Sequence, residues 1–348
     1  MLKLKKEVVD SIKSVTDVSQ LHSYLQNAIE LEHATIPVYL TGLFSIKQTS
    51  NSEASKIIRS VVIEEMLHMS IACNVLNALG GSPAINKPDF VPSYPGPLPM
   101  NVGEDRQLVA SLEPLSKQQI KNVYMAIEEP ENPLEFPVEN FAAVSEQYST
   151  IGEFYAAIIE KIKELGEPAF TGDPSRQLVN SQWFAETELW AVTDVNTACK
   201  ALNLIVEQGE GTQQSPLDPE KKLAHYYRFA EVFYGKRLVP DTSSALGWSY
   251  NGEAIPLDES QIYKLQPNAK AEDYPAGSVA RRFADQSNYT YSSLLNNLHQ
   301  TFNGHPDKLN EAMGLMYELR LTVQKMVTID VGDSYCAAPP FQYVKTNT

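Results

Sequence analysis

The chain has 348 residues, 43% of them hydrophobic and 20% charged, a composition that suits a globular protein with a substantial buried core. Its formal net charge of −15, with the Lys and Arg residues scattered, argues against a surface built to neutralise nucleic-acid phosphates. Cys73, Cys199 and Cys336 are far apart and form no CxxC pair, and no window approaches the roughly 18 consecutive apolar residues of a membrane span, so a soluble cytoplasmic protein is expected.

The opening run Met1-Leu-Lys-Leu-Lys-Lys-Glu alternates charged and apolar residues, and export is not expected from it. The first strong helix begins near Asp17, which can form a capping box with Gln20, and runs to about Ile46. Leu25, Ala28, Ile29, Glu32, Ile36, Tyr39 and Leu43 recur at steps of three and four, so an acid lies on the apolar face. Pro37 should kink or bulge this helix one turn after Glu32. A second capping box, Ser50 with Glu53, opens a helix that runs to the stop at Gly80-Gly81. Its inward stripe is Ile58, Val61, Glu65, His68, Ala72, Leu76 and Leu79, and the short turn before it makes the two helices antiparallel neighbours.

Prolines 83, 88, 92, 95, 97 and 99 break the helical pattern, and residues 82–150 read as a long crossover with one short helical candidate near Ser116 to Ile127. Such a crossover can shape a substrate entrance. Further helices are expected near 151–165, 190–208, 219–235, 287–303 and 306–328, with only weak strand signals. The fold class is all-α.

Glu65 and His68 form an E-x-x-H unit, whose spacing puts both side chains on one face about a turn apart. Glu32 lies 17 residues before position 49 in the turn and Glu65 lies 16 after it, so the hairpin brings them to the same height. Charged groups on a buried face are costly unless paired or metal-bound, and mixed carboxylate and imidazole donors suit iron or manganese. Glu30 and His33 repeat the E-x-x-H spacing, but Glu30 sits about 200° from Glu32 around the helix, which leaves that pair a supporting or surface role. Glu153 closes a capping box with Thr150, a sufficient structural reason for that acid. Tyr39 is expected to pack in the core, with a hydrogen-bonding or redox role near the site as the alternative, and His299 and His305 read as structural.

The run Ala28-Ile-Glu-Leu-Glu-His-Ala-Thr-Ile-Pro-Val-Tyr39, followed by Ile63-Glu-Glu-Met-Leu-His68, resembles the ferritin-like superfamily. Together with Ile205-Val-Glu-Gln-Gly-Glu-Gly211, Ala224-His-Tyr-Tyr-Arg-Phe229 and Ala338-Pro-Pro-Phe-Gln-Tyr343, it more narrowly resembles the ferritin-like part of the iminophenyl-pyruvate dimer synthase family of violacein-type pigment biosynthesis. A symmetric di-iron carboxylate site would contain a second inward E-x-x-H, which this sequence lacks. The resemblance makes Glu207 and His225 the preferred remaining ligands. Helical periodicity leaves Glu210 as an alternative to Glu207, and the alternative for His225 is a buried histidine bonded to a carbonyl.

The expected arrangement is a ferritin-like metal-binding bundle over 1–240, including the crossover, with a helical extension over 241–348 packed on it, separately or as one domain. Its six candidate metal ligands are Glu32, Glu65, His68, Glu207, Glu210 and His225, holding one or two iron ions, or manganese. The expected function is a non-haem iron oxidase or oxygenase acting on a small, amino-acid-derived metabolite of secondary metabolism, with dioxygen as co-substrate. Alternatives are a metal-bearing partner that binds or channels an unstable imine for another biosynthetic enzyme, and, with less support from a chain of this length, iron storage. A homo-oligomer is compatible with any of these readings.

Overall fold

The computed structural model describes residues 2–131, 133–134, 147–180, 182–210 and 215–346. The stretch 135–146 of the crossover and Gly211 of the family-like run lie outside these residues, as does the side chain of Glu210. A strand β1 (Lys3–Lys5) and a short helix α1 (Lys6–Lys13) precede two long helices, α2 (Val18–Ser45) and α3 (Ser52–Ala78). α2 opens as expected: the Asp17 carboxylate accepts from the Ser19 amide at 2.9 Å, and Gln20 returns its side-chain oxygen to the Asp17 amide at 3.2 Å. The helix runs unbroken through Pro37, and Tyr94 donates to the Ala34 carbonyl at 2.7 Å beside it.

The start of α3 corrects one expectation. Asn51, not Ser50, is the residue before the helix, with a left-handed φ of 46° and no side-chain cap. The Asn51 amide group instead exchanges hydrogen bonds with the Asp258 backbone at 2.8 and 3.0 Å, Ser50 donates back to the Lys47 carbonyl, and Glu53 pairs with Lys56 and Arg237. Contacts from a distant loop thus replaced the local cap. The helix stops at Gly80, whose φ of +80° favours a residue without Cβ.

The crossover carries α4 (Lys117–Gln119), a π-helical turn (Ile120–Tyr124) and α5 (Met125–Ile127), which run on as one short helical rod. It ends in β2 (Tyr148–Thr150), paired antiparallel with β1 so that Lys3 faces Thr150. α6 (Ile151–Leu165) follows directly, capped reciprocally by Thr150 and Glu153 at 2.9 Å. α7 (Val195–Glu210) and α8 (His225–Tyr234) come next. α2 packs on α3, α3 on α7, α7 on α6 and α6 on α2, which closes a four-helix ring. α8 seals the side of the ring between α3 and α7 and also meets the crossover rod.

Two minor hairpin pairs, β3 (Val239–Pro240) with β4 (Trp248–Ser249) and β5 (Asp330–Gly332) with β6 (Tyr335–Cys336), flank a helical hairpin of α9 (Val279–Thr301) and α10 (Leu309–Met326). α9 begins about two turns earlier than the periodicity predicts, because Ser278 caps the Arg281 amide at 3.1 Å. The hydrophobic core is continuous from Leu2 to Phe341, through both the bundle and the C-terminal segment. The closing Ala338–Tyr343 run lies along α9, where the Gln342 amide donates to Asn288 at 3.0 Å. Among the described residues no helix is long and apolar enough to cross a membrane.

Candidate metal centre

Inside the ring, Glu32 on α2 and Glu65 and His68 on α3 bring one donor atom each to within 4.8 Å of one another. A second group, equally close, contains Glu65, Glu128 and His225. Glu65 belongs to both. Its Oε1 lies 2.8 Å from His225 Nδ1 and 4.0 Å from His68 Nδ1, while Thr35 donates to its Oε2 at 3.1 Å. His68 Nδ1 is also 3.5 Å from Glu32 Oε2, and His225 Nδ1 is 3.3 Å from Glu128 Oε2. The imidazoles stack with their centroids 5.4 Å apart. Both Nδ1 atoms therefore face the carboxylates.

Side chains outside the cluster fix this orientation. His68 Nε2 meets Gln208 Oε1 at 2.9 Å, and His225 Nε2 meets Glu64 Oε2 at 2.9 Å. A hydrogen bond at the outer nitrogen leaves the inner one free to act as a ligand. Tyr155 donates to Glu32 and Tyr39 donates to Glu128, so each terminal carboxylate is oriented by a buried phenol. Burial first, and the carboxylate neighbours next, push both phenols well above their ordinary pKa, so each remains a donor.

The electrostatics follow from burial and from carboxylates crowded around two imidazoles. Glu65 is only 3% exposed; burial, reinforced by the charge of Glu128, pushes its carboxyl up to about 7 despite the opposing effect of His225. Burial alone would lower both histidines, but the carboxylates reverse the sign: Glu128, Glu64 and Glu65 raise His225 well above the usual imidazole value, and Glu32 and Glu65 raise His68. Burial also pushes Glu64 upward, yet His225 and Arg228 outweigh it and hold its carboxyl at about 2. Among the described residues that line the cavity there is no Lys or Arg. Three inward carboxylates and two imidazoles are a donor set that divalent cations would neutralise, and its mixture of oxygen and nitrogen suits iron or manganese.

The cavity beside the cluster holds about 80 Å³ and has apolar walls from Leu31, Ile127, Ile151, Ile205 and Val206. That is room for metal ions with a few small molecules.

The six residues singled out from the sequence divide clearly. Glu32, Glu65, His68 and His225 meet at the cluster. Glu207 enters neither group; it is half-buried on α7, its carboxyl raised by burial and by the charge of Asp218. The fully buried Gln208 beside it touches the cluster through His68. Ala198, Ala201, Leu202 and Ile205 set the buried face of α7, and position 208 continues it, whereas 207 is rotated by about 100°. Glu210 carries no described side chain.

Glu128 and Glu64 are the residues sequence reasoning missed. Glu128 follows Ile120 and Tyr124 at four-residue steps along the crossover rod, a faint signal inside a segment otherwise read for its prolines. Glu64 looks like the solvated neighbour of Glu65 until α8 covers it. Elsewhere, His33 is buried under Phe90 with its Nε2 bonded to Tyr291 at 2.7 Å, and Glu30 accepts from Gln26 at 3.1 Å.

Comparison with known proteins bears on the fold and the family. The crystal structure of a ferritin-like protein from Caulobacter vibrioides superposes with a TM-score of 0.63 at 24% identity, covering 95% of this chain and 99% of that one, which shows a shared fold. No curated protein matches the chain. A ferritin-like family model matches residues 25–234, the stretch containing every member of both groups. Because that match spans more than half of the 348 residues, the chain belongs to the ferritin-like family.

Proposed function

We propose that this protein is a dinuclear non-haem metal oxidase or oxygenase, using iron or an iron and manganese pair, that oxidises a small amino-acid-derived metabolite with dioxygen as the electron acceptor. The observation that carries this reading is the sharing of Glu65 between two buried groups, each completed by another carboxylate and a histidine Nδ1. Glu32, Glu65 and His68 would hold one ion, and Glu65, Glu128 and His225 the other. Bound there, the ions would supply dioxygen reduction coupled to substrate oxidation. The chain's own residues set the conditions. Tyr155 and Tyr39 hold the terminal carboxylates in place, Thr35 fixes the far oxygen of Glu65, and aliphatic side chains line one part of the cavity. The resemblance of the Glu32, His68, His225 and closing segments to the iminophenyl-pyruvate dimer synthase family supports a substrate of secondary metabolism.

The test is metal content per chain after expression with iron and manganese, followed by dioxygen uptake with aromatic amino acids and their imine and keto-acid derivatives. About two ions per chain and substrate-dependent uptake are expected from the dinuclear design. Protein that takes up no metal after anaerobic reconstitution would overturn the reading.

A further inference from the structure

Resting on the dinuclear reading, we propose that Glu64 and Arg228 make the two metal positions unequal, so that the position at His225 fills before the position at His68. The two positions share Glu65, and each has one terminal carboxylate bonded to one tyrosine, so these features largely cancel. The outer partners of the histidines do not. His225 Nε2 faces the Glu64 carboxylate at 2.9 Å, whereas His68 Nε2 faces the neutral amide oxygen of Gln208 at 2.9 Å. A hydrogen bond to an anion draws the imidazole N–H more strongly than one to an amide, and increases electron density at the coordinating nitrogen.

Arg228 locks the anionic partner. Its guanidinium pairs with the same Glu64 oxygen while donating to the Leu223 carbonyl at 2.6 Å and to Ser60 at 3.1 Å. The arginine offsets part of the Glu64 charge through space. It does not remove the direct Glu64–His225 contact, and by anchoring Glu64 it reduces the reorganisation required when a cation arrives. The donors at His225 are also gathered more tightly: its Nδ1 lies 2.8 and 3.3 Å from two carboxylate oxygens, against 3.5 and 4.0 Å for His68. Glu64 and Arg228 are thus positioning residues acting through His225, and Gln208 is their weaker counterpart at His68. Outer partners of this kind change metal affinity by about 10–100-fold, which is the expected separation between the positions.

The experiment is an anaerobic Mn²⁺ titration of the full chain, followed by calorimetry and by electron paramagnetic resonance, with Glu64→Gln and Gln208→Glu in parallel. In the unaltered protein two steps separated by about 10–100-fold are expected. The first equivalent should give the signal of an isolated Mn²⁺, and the second should diminish it through magnetic coupling. Glu64→Gln should narrow the separation by weakening the first step. Gln208→Glu should narrow it by strengthening the second, a gain that cannot come from a damaged fold. Two indistinguishable steps in the unaltered protein, or a separation unchanged in both variants, overturn the inference and leave the dinuclear reading standing. Failure of the unaltered protein to bind Mn²⁺ or Fe²⁺ overturns both.

Discussion

The His68 half and the His225 half of the cluster meet at Glu65, but they are assembled from different parts of the chain. The first comes from one helical hairpin, α2 and α3, joined by a short turn. The second needs the crossover rod for Glu128 and α8 for His225, positions 97 residues apart. Local geometry can place the first half once the hairpin forms, while the second depends on tertiary packing of segments with irregular connections. The halves also differ in charge: an amide stands behind His68, and a carboxylate with an arginine stands behind His225. Two donor groups of the same composition, each with two carboxylates and one imidazole, thus have unlike surroundings.

The most severe way to break the comparison is to remove the residue both halves share. Glu65→Ala should reduce metal from about two ions per chain to nearly none, whereas His68→Ala or His225→Ala should each leave about one, measured by elemental analysis of folded protein. Equal losses in all three variants would show that the halves do not act as separate positions.

Protons compete for the same atoms. His68 and His225 are held above the ordinary imidazole value and Glu65 is raised to about 7, so protons remain on the cluster at neutral pH in the absence of metal. Metal uptake must displace them; apparent affinity should therefore fall as pH falls, by about tenfold per pH unit for each proton released. Calorimetry in buffers of different ionisation enthalpy checks this through the number of protons released. Affinity independent of pH between about 6 and 8 would contradict it.

Smaller effects sharpen the division. Tyr155→Phe should weaken the His68 position and Tyr39→Phe the His225 position, each by about tenfold, the scale of a lost hydrogen bond to a charged group. Stepwise Mn²⁺ titration separates the two. As a control away from the cluster, Tyr291→Phe removes the partner of His33 and should cost about 1–3 kcal/mol of stability in chemical denaturation while leaving metal content unchanged.

How much of this was legible in the sequence follows the same division. The all-α bundle, the Asp17 and Thr150 caps, and the meeting of Glu32 with Glu65 and His68 all follow from periodicity and equal height across a short turn. His225 was reached through family resemblance, because no local spacing connects it to α3. Glu128 gives only a faint signal for a physical reason: it sits at the very end of a short rod whose few turns, one of them π-helical, hardly define an inward face. On α7 the periodicity of acids points to Glu207 or Glu210, whereas the side chain that reaches His68 is the neutral Gln208, which a search for charged ligands passes over. The cap of α3 was misplaced because contacts with Asp258, some 200 residues away, set the conformation of Asn51.

The most direct test of the central claim is anomalous diffraction at the iron edge from crystals loaded anaerobically with Fe²⁺. The account predicts two peaks flanking Glu65, one within coordination distance of His68 Nδ1 and the other of His225 Nδ1. A single peak, or peaks remote from Glu65, would contradict it.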